Sequence, residues 1–245
     1  MTSRIAVLGG HGKTGRAVGA ALERHGASAV PLGRADWDDL AGAMVGCDGV
    51  YLIAPNMHPD EPTYVGQALS AMRAGGVHRV VYHSVASPYA PGMPHHVGKA
   101  HAEDLVRRSG MAWTVLQPGV YLQNFDLTRT LRVPYDVHRP FGFADLQEVA
   151  EAAAVVLLQN GHAGATYELA TRTATIAELA AEAGVGAERL EDWTGEGLDE
   201  HERAWLRSMF DYYDRHGLPV GTLPLRALLD RADLREGCPT PLRTE

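Results

Sequence analysis

The chain has 245 residues, of which 45% are hydrophobic and 21% charged, a balance that excludes a disordered chain and fits a folded globular protein. Its formal net charge of -8 is spread over mixed signs without a run of Lys or Arg, which argues against nucleic acid as a partner. The two cysteines, Cys47 and Cys238, lie far apart and form no CxxC motif, so neither a disulfide framework nor a thiolate metal site is expected.

The beginning of the chain predicts a strand, a glycine turn and a helix. The apolar run RIAVLG ends in glycines, and RAVGAALERHG then has helical spacing up to Gly26. This segment lacks the regions of a signal peptide, and the most apolar later stretch, VAEAAAVVLL, is too short to span a bilayer. We therefore expect a soluble cytoplasmic protein without a membrane partner.

Strands and helices continue to alternate along the chain. SAVPLG is a predicted strand, DDLAGAMVG a short helix, GVYLIAP a buried strand that ends at Pro55, and EPTYVGQALSAMRAGG a helix. VHRVVYHS is the next strand, a helix from about His96 to Ser109 precedes the strand AWTVLQ, and DLQEVAEAAAVVLLQ with ATYELA adds a helix and a strand. This rhythm predicts an α/β fold, a Rossmann-type doubly wound parallel sheet.

The character of the chain changes beyond residue 170, where no further strand is predicted. Two capping boxes, Thr175 with Glu178 and Asp199 with Glu202, predict the starts of two helices. The second helix carries an apolar stripe that we interpret as a packing surface rather than as a cofactor contact. The stripe consists of Leu206, Met209, Phe210 and Tyr213.

These patterns divide the chain into two parts. Residues 1–170 form the predicted Rossmann-like domain, with residues 118–143 as an inserted substrate loop. Residues 171–245 form a predicted small, mainly helical C-terminal lobe packed on that domain. The end of the chain, REGCPTPLRTE, is expected to be a loose terminus.

The segment VLGGHGKTGRAV is the strongest chemical signal. Gly9, Gly12 and Gly15 have GxxGxxG spacing, while Gly10, Gly12 and Gly15 satisfy GxGxxG, so the register stays open. In either register the glycines permit a tight turn and a close approach of the backbone to a pyrophosphate at a helix N-terminus. The turn therefore predicts a dinucleotide site. The candidate contacts are Gly9, Gly10, His11, Gly12, Lys13, Thr14 and Gly15, with Pro55 at the end of the third strand.

The end of the second strand, VPLGRAD, bears on the choice of dinucleotide. Arg34 stands where a guanidinium can bind the 2′-phosphate of NADP, and Lys13 can add positive charge. Asp36 is the competing group, because its carboxylate can instead meet the adenosine. NADP(H) is therefore preferred over NAD(H) as the cofactor.

Several segments together resemble the NmrA-like branch of the atypical short-chain dehydrogenases. They are VLGGHGKTGRAV, GVYLIAP, GVHRVVYHSV, HHVGKAHAEDLVRRSGMAWTVLQPGVYLQNF and GATYELA, and the similarity covers most of residues 4–180. The resemblance implies a Rossmann-type NAD(P)-binding fold, a C-terminal substrate lobe, and either reductase activity or cofactor-sensing regulation. It also implies that Pro118, Gly119 and Tyr121 lie near the nicotinamide.

Two departures from that family pattern are visible. VPLG runs almost directly into RADWDDL, so the sheet is expected to lack a strand and the adenine pocket to be built around Arg34, Asp36 and Trp37. The loop over residues 131–143 is also brief, which leaves less chain to enclose a substrate.

The candidate catalytic residues follow from the same comparison. Many short-chain dehydrogenases place a Tyr four residues before a Lys; here His95 holds the Tyr position, and Lys99 remains to bind the ribose hydroxyls. Ser84 matches the polarising hydroxyl, and Tyr121 is another possible proton donor. Since Lys99 shares a helical face with His95, its charge is expected to lower the imidazole pKa below about 6.5. A capping or packing role is the alternative for His95.

The favoured function is an NADPH-dependent reductase of a small carbonyl, quinone or enone compound. The alternatives are a non-catalytic NAD(P) sensor with a regulatory role and a non-redox isomerase or cyclase that uses the same pocket. No metal is expected, because the histidines lack a recognised zinc spacing. A small-molecule substrate is the predicted partner, and no oligomeric state is indicated.

Overall fold

The computed structural model describes residues 2–233, in which helices and strands alternate up to residue 118. The strands are β1 (Arg4–Leu8), β2 (Ser28–Leu32), β3 (Gly49–Leu52), β4 (Arg79–His83), β5 (Ala112–Pro118), β6 (Val120–Tyr121), β7 (Leu131–Val133), β8 (Phe141–Ala144), β9 (Ala165–Leu169), β10 (Arg172–Ala174) and β11 (Ala187–Arg189). The helices are α1 (Lys13–Arg24), α2 (Leu40–Ala43), α3 (Glu61–Ala74), α4 (Pro94–Arg107), α5 (Leu146–Leu158), α6 (Ile176–Glu182), α7 (Glu200–His216) and α8 (Leu223–Asp233).

The central sheet has the strand order β2-β1-β3-β4-β5-β9, and all of its neighbouring strands are parallel. This confirms the predicted Rossmann-type α/β fold. The strand order reverses between β1 and β3, and ligands of such sheets bind in the crevice beyond the carboxyl ends at this point. Among the described residues, β2, which contains Pro31, pairs only with β1 and is an edge strand, as expected from the direct passage of VPLG into RADWDDL.

Two apolar clusters cover the two faces of the sheet. One joins β1 and β3 to α1, α5 and α8, and the other lies beneath α2, α3 and α4. α5 is apolar on most of its surface because α1 and α8 pack beside it while the sheet lies beneath it. The helical layers hold the carboxyl ends of the strands in place.

A smaller sheet region corrects the prediction that strands end at residue 170. β10 pairs with β8, β8 pairs with β6, and β11 pairs with β7. The inserted segment 118–143 is thus a set of short strands rather than a loop. These strands have two to four residues, too few for a period-two pattern, and their partners lie far away along the chain.

The C-terminal helices lie in two places. α7 lies beside α4 and packs on the aromatic cluster around β8, whereas α8 packs against α5 and β9 on the central sheet. No helix within residues 2–233 is long and apolar enough to cross a membrane. Cys238 and the predicted loose terminus, residues 235–245, lie outside the described residues.

Candidate functional site

The glycine turn between β1 and α1 is closely packed at three of its four glycines. Gly9 has φ +86, and a Cβ atom there would lie 2.4 Å from Ile53 Cγ2. At Gly15 a Cβ would lie 2.2 Å from the carbonyl oxygen of Gly9, and at Gly10 it would meet backbone atoms at 2.6 and 2.7 Å. Both sequence registers therefore contain glycines that the fold itself requires.

Gly12 differs from the other three glycines. It is exposed, its φ of -79 suits any residue, and a Cβ would meet only the Gly9 carbonyl oxygen, at 3.3 Å. Gly12 is also the N-cap of α1, where no side chain caps the helix and no acidic residue occupies the first turn. The first N–H groups of α1 are thus available to an anion, and the turn fits the pyrophosphate of a dinucleotide.

The end of β2 is joined directly to this turn. The carbonyl oxygen of Leu32 accepts hydrogen bonds from the N–H groups of Gly9 and Gly10, each at 3.0 Å. Arg34 follows on the surface, and its guanidinium has no hydrogen-bond or ion-pair partner among the described side chains. Asp36 instead accepts the N–H of Gly33 at 2.7 Å, so its carboxylate serves the local turn.

His11, predicted as a contact of the glycine turn, and Trp37, predicted beside the adenine, both have protein neighbours. His11 is exposed and its ring lies against Gly33, where a Cβ would be 2.6 Å from His11 Cδ2. Trp37 packs against Tyr64 of α3 with ring centroids 4.6 Å apart. Of the group predicted to surround the adenine, Arg34 is the member whose side chain has no hydrogen-bond or ring partner among the described residues.

A cavity of about 620 Å³ lies between the carboxyl ends of the strands and the smaller sheet region. It brings together eight predicted residues: Lys13, Thr14, Ser84, His95, Lys99, Pro118, Gly119 and Tyr121. Pro55 is exposed between two lining residues, Ala54 and Asn56, and does not itself line the cavity. The lining contains lysines but, among the described residues, no carboxylate.

The wall opposite the glycine turn is apolar. Its lining residues include Phe125, Val133, Tyr135, Leu206, Met209, Phe210, Tyr213 and Leu218. The stripe on α7 was interpreted as a packing surface, and this interpretation is incomplete. Tyr213 packs on Phe141 with ring centroids 5.3 Å apart, yet all four stripe residues also face the cavity.

Lys99 is buried and makes an ion pair that the sequence did not reveal. Its Nζ lies 2.8 Å from Glu61 Oε1 and 3.5 Å from the carbonyl oxygen of His83. Tyr82 donates to the same Glu61 oxygen at 2.6 Å. Glu61 is the first residue of α3, the helix that follows β3, and this position was the available sequence signal for it. The pair holds the Lys99 ammonium at the cavity.

Lys13 lines the cavity from the first turn of α1. Its Nζ donates to the carbonyl oxygen of Gln123 at 3.1 Å. The side chain therefore points across the cavity to the segment after β6, and not toward Arg34 as expected for a shared phosphate contact.

His95 occupies the start of α4 and is 6% exposed. Its Nδ1 is buried and has no hydrogen-bond partner within residues 2–233. Burial, and then the charge of Lys99, lower its pKa to about 3. The expected direction of the shift is correct, but burial is the larger cause, and the imidazole is neutral at pH 7.

Ser84 lies at the carboxyl end of the β4 segment and contacts a second buried acid that the sequence did not reveal. Its Oγ donates to Glu103 Oε1 at 2.6 Å, and Glu103 is fully buried. The hydroxyl proton thus points away from the cavity. The predicted role of Ser84, polarisation of a substrate oxygen, needs that proton to point into the cavity.

Tyr121 lies beside another buried residue, His83. Its hydroxyl lies 3.4 Å from His83 Nε2, while Tyr51 hydrogen-bonds His83 Nδ1. Burial raises the pKa of Tyr121, and burial lowers the pKa of His83 to about 3. Tyr121 is therefore a protonated phenol at the cavity wall, held beside a neutral imidazole.

Two curated proteins are similar to part of the chain. The NAD(P)H azoreductase of Xenophilus azovorans is 29% identical over 136 residues, which cover 52% of this chain and 47% of that protein. Quinone oxidoreductase 2 of Escherichia coli (strain K12) is 27% identical over 168 residues, 64% of this chain and 58% of that protein. The matched regions therefore span about half the length of these relatives.

Among solved structures, NmrA, described as a negative transcriptional regulator in complex with NAD, has a similar fold. The TM-score is 0.76, with 15% identity over 94% of this chain and 91% of that one. This agrees with the NmrA-like resemblance of the sequence. The family of NAD(P)H-binding domains matches residues 19–159, more than half of the chain. This match, the glycine turn and the crevice where the strand order reverses all indicate a dinucleotide site. The chain belongs to the NAD(P)H-binding family.

Proposed function

We propose that the chain is an NADPH-dependent reductase that transfers a hydride to a flat conjugated acceptor, such as a quinone, an enone or another small carbonyl compound. The observation that carries this proposal is the two-sided cavity. One side has Lys13 and Thr14 at the start of α1 together with Lys99 and Tyr121, and the other side is aromatic and aliphatic. Such a wall suits an apolar planar molecule and keeps water from the reacting atoms.

The residues of the chain have distinct roles in this reaction. A bound nicotinamide cofactor supplies the hydride, and Lys99 binds the ribose hydroxyls with the donors that Glu61 leaves free. The acceptor oxygen gains a proton after hydride transfer, and Tyr121 is the protonated group at the cavity wall that can give it. His95 is neutral and supplies a hydrogen bond rather than a full proton.

The curated relatives support this choice of chemistry, since both names describe reduction of conjugated acceptors. NADPH is favoured because Arg34 lies free beside the glycine turn while the Asp36 carboxylate is engaged by Gly33. A regulatory role is the second candidate, and it is favoured by the fold likeness to NmrA.

Turnover separates these candidates. The purified protein is incubated with NADPH and a panel of quinones and enones, and absorbance at the nicotinamide band is followed. A reductase consumes NADPH only when an acceptor is present. Binding of NADPH without consumption by any acceptor contradicts the reductase and supports the sensor, whereas conversion of an acceptor without NADPH loss supports the isomerase.

Arg34 predicts the cofactor preference. We expect wild type to bind NADPH more tightly than NADH, and Arg34→Ala to lose about tenfold or more of its affinity for NADPH alone, because a charge-assisted contact with the 2′-phosphate is removed. Calorimetric titration of both cofactors measures this. Arg108→Ala, which removes an exposed arginine at the far end of α4, is the matched control. Equal wild-type affinities for the two cofactors would exclude Arg34 from the site.

A further inference from the structure

Ser84 stands between the cavity and a fully buried carboxyl group. The residue is 2% exposed, lines the cavity, and is held against β5 by its N–H, which donates to the carbonyl oxygen of Leu116 at 2.8 Å. On the side away from the cavity its Oγ meets Glu103 Oε1 at 2.6 Å. The hydroxyl therefore has one partner inside the protein and one open side.

The partners of Glu103 determine where the Ser84 proton lies. Gln117 Nε2 donates to Glu103 Oε1 at 2.7 Å, and Arg107 donates to Oε2 at 2.8 Å. Amide nitrogens and guanidinium groups only donate, so both oxygens of Glu103 act as acceptors. Ser84 has a single proton, and it gives that proton to Oε1. The lone pairs of its Oγ are left for the cavity.

We propose that Ser84 is a hydrogen-bond acceptor in the cavity and binds a neutral N–H or O–H donor of the reacting molecules. Two groups have this chemistry: the carboxamide NH₂ of the nicotinamide and the hydroxyl of the reduced substrate. The inference rests on the proposed function, because both groups belong to the reductase reaction. This acceptor role is the reverse of the one expected from the sequence, in which the Ser84 hydroxyl donates to the substrate oxyanion, because lone pairs repel an oxyanion. Glu103 is the positioning residue that sets this direction.

Two variants test the direction of the hydroxyl. Ser84→Ala removes the acceptor. Glu103→Gln inverts it, because the new side chain turns its oxygen toward Arg107 and its NH₂ toward Ser84 and Gln117. The Gln117 amide then turns its oxygen to accept from that NH₂, and the Ser84 proton points into the cavity. Thr114→Val is the matched control: it removes a buried hydroxyl from β5 that donates to the carbonyl oxygen of His162, outside the cavity lining. Thermal melting checks that each variant folds.

The probes are NADPH and its 3-acetylpyridine analogue, which has a methyl group in place of the NH₂. If the carboxamide is the partner, both variants lose about two- to tenfold of their affinity for NADPH and none for the analogue in calorimetric titrations. If the reduced substrate is the partner, NADPH affinity is unchanged. In that case hydroquinone binds to the NADP-loaded variants more weakly, while its dimethyl ether binds as it does to wild type.

Other results overturn the inference. Unchanged affinity for NADPH and for hydroquinone in both folded variants would show that Ser84 accepts from neither. If Ser84→Ala slows quinone reduction without changing either affinity, the hydroxyl donates to the oxyanion as first expected. If Glu103→Gln does not fold, Ser84→Ala decides alone. A wild type that binds hydroquinone but not NADPH contradicts the proposed function, while hydroquinone binding by the cofactor-free wild type and variants still tests Ser84.

Discussion

Lys99 and His95 lie one helical turn apart, yet their partners give them different chemistry. Lys99 is paired with Glu61 and stays at the cavity as a charged donor. His95 has an unpaired Nδ1 in a buried setting that favours the neutral ring. The charge of each of these two residues therefore depends on the group that its side chain contacts inside the protein.

We expect Lys99→Ala to abolish most turnover and cofactor binding. Because removal of Lys99 leaves the buried Glu61 charge uncompensated, at a cost of about 3–5 kcal/mol, the double variant Lys99→Ala with Glu61→Gln is measured beside it. Turnover restored in the double variant would show that Lys99 acts only through stability. Lost NADPH binding in a folded double variant supports a direct contact with the cofactor.

His95→Ala is expected to be milder, with a loss of about tenfold or less, since a neutral imidazole contributes one hydrogen bond. The pH profile of turnover measures its protonation. Because the pKa of His95 is about 3, we expect turnover of wild type and of His95→Ala to vary with pH in the same way near pH 6.5. Such a step in wild type, absent from the variant, would contradict the buried neutral state.

Single residues were predictable where their neighbours are local. The spacing of His95 and Lys99 follows from one helix, and the glycine contacts follow from one turn. The contacts of Glu61 with Lys99 and of Glu103 with Ser84 were not predictable, because each joins residues of different elements, 38 and 19 positions apart along the chain. The direction of the Ser84 proton depends on one of these distant acids.

Elements with a strong local signal were predicted well. β1 to β5 and β9 are apolar runs, and the capping boxes at Thr175 and Asp199 are both present in the structure. The short strands β6, β7, β8, β10 and β11 were missed, because they form only by pairing across the small sheet region. The apolar wall of the cavity depends on that region, so the wall was not foreseen.

The junction of β1 and α1 gives a prediction at this scale. Gly12→Val is expected to fold, because the position is exposed and a side chain there meets little protein. Its isopropyl group would occupy the space over the helix N-terminus and block the dinucleotide phosphate. Circular dichroism and NADPH titration measure the two effects. In contrast, Gly15→Val should not fold, because its side chain would collide with the turn itself. A folded Gly12→Val protein with wild-type affinity would place the dinucleotide elsewhere.

The molecule as a whole carries three buried neutral histidines beside the cavity. Burial lowers the pKa of His83 and His95 to about 3 and that of His96 to about 4. Between these values and about 6.5, the folded chain binds fewer protons at these sites than the unfolded chain. Stability is therefore lost as the pH falls below 6.5, by up to about 1.4 kcal/mol per pH unit for each group.

His96→Gln tests this dependence. The amide can replace the imidazole hydrogen bond with the Ser87 carbonyl oxygen, and it does not titrate. Between pH 7 and pH 5 we expect the variant to lose about 2 kcal/mol less of its unfolding free energy than wild type in urea titrations. His101→Gln, an exposed position on the same helix, is the control. An unchanged pH dependence in His96→Gln would show that His96 takes up a proton while folded.

The position of Pro31 in β2 has a consequence for solubility. Leu32 turns its carbonyl oxygen inward to the glycine turn, so the backbone groups of the preceding residue face the free edge of the sheet. Pro31 has no N–H to present there. An approaching strand from another copy of the chain therefore meets no donor at the fourth of the five residues of β2, whereas an unbroken row of donors would favour aggregation.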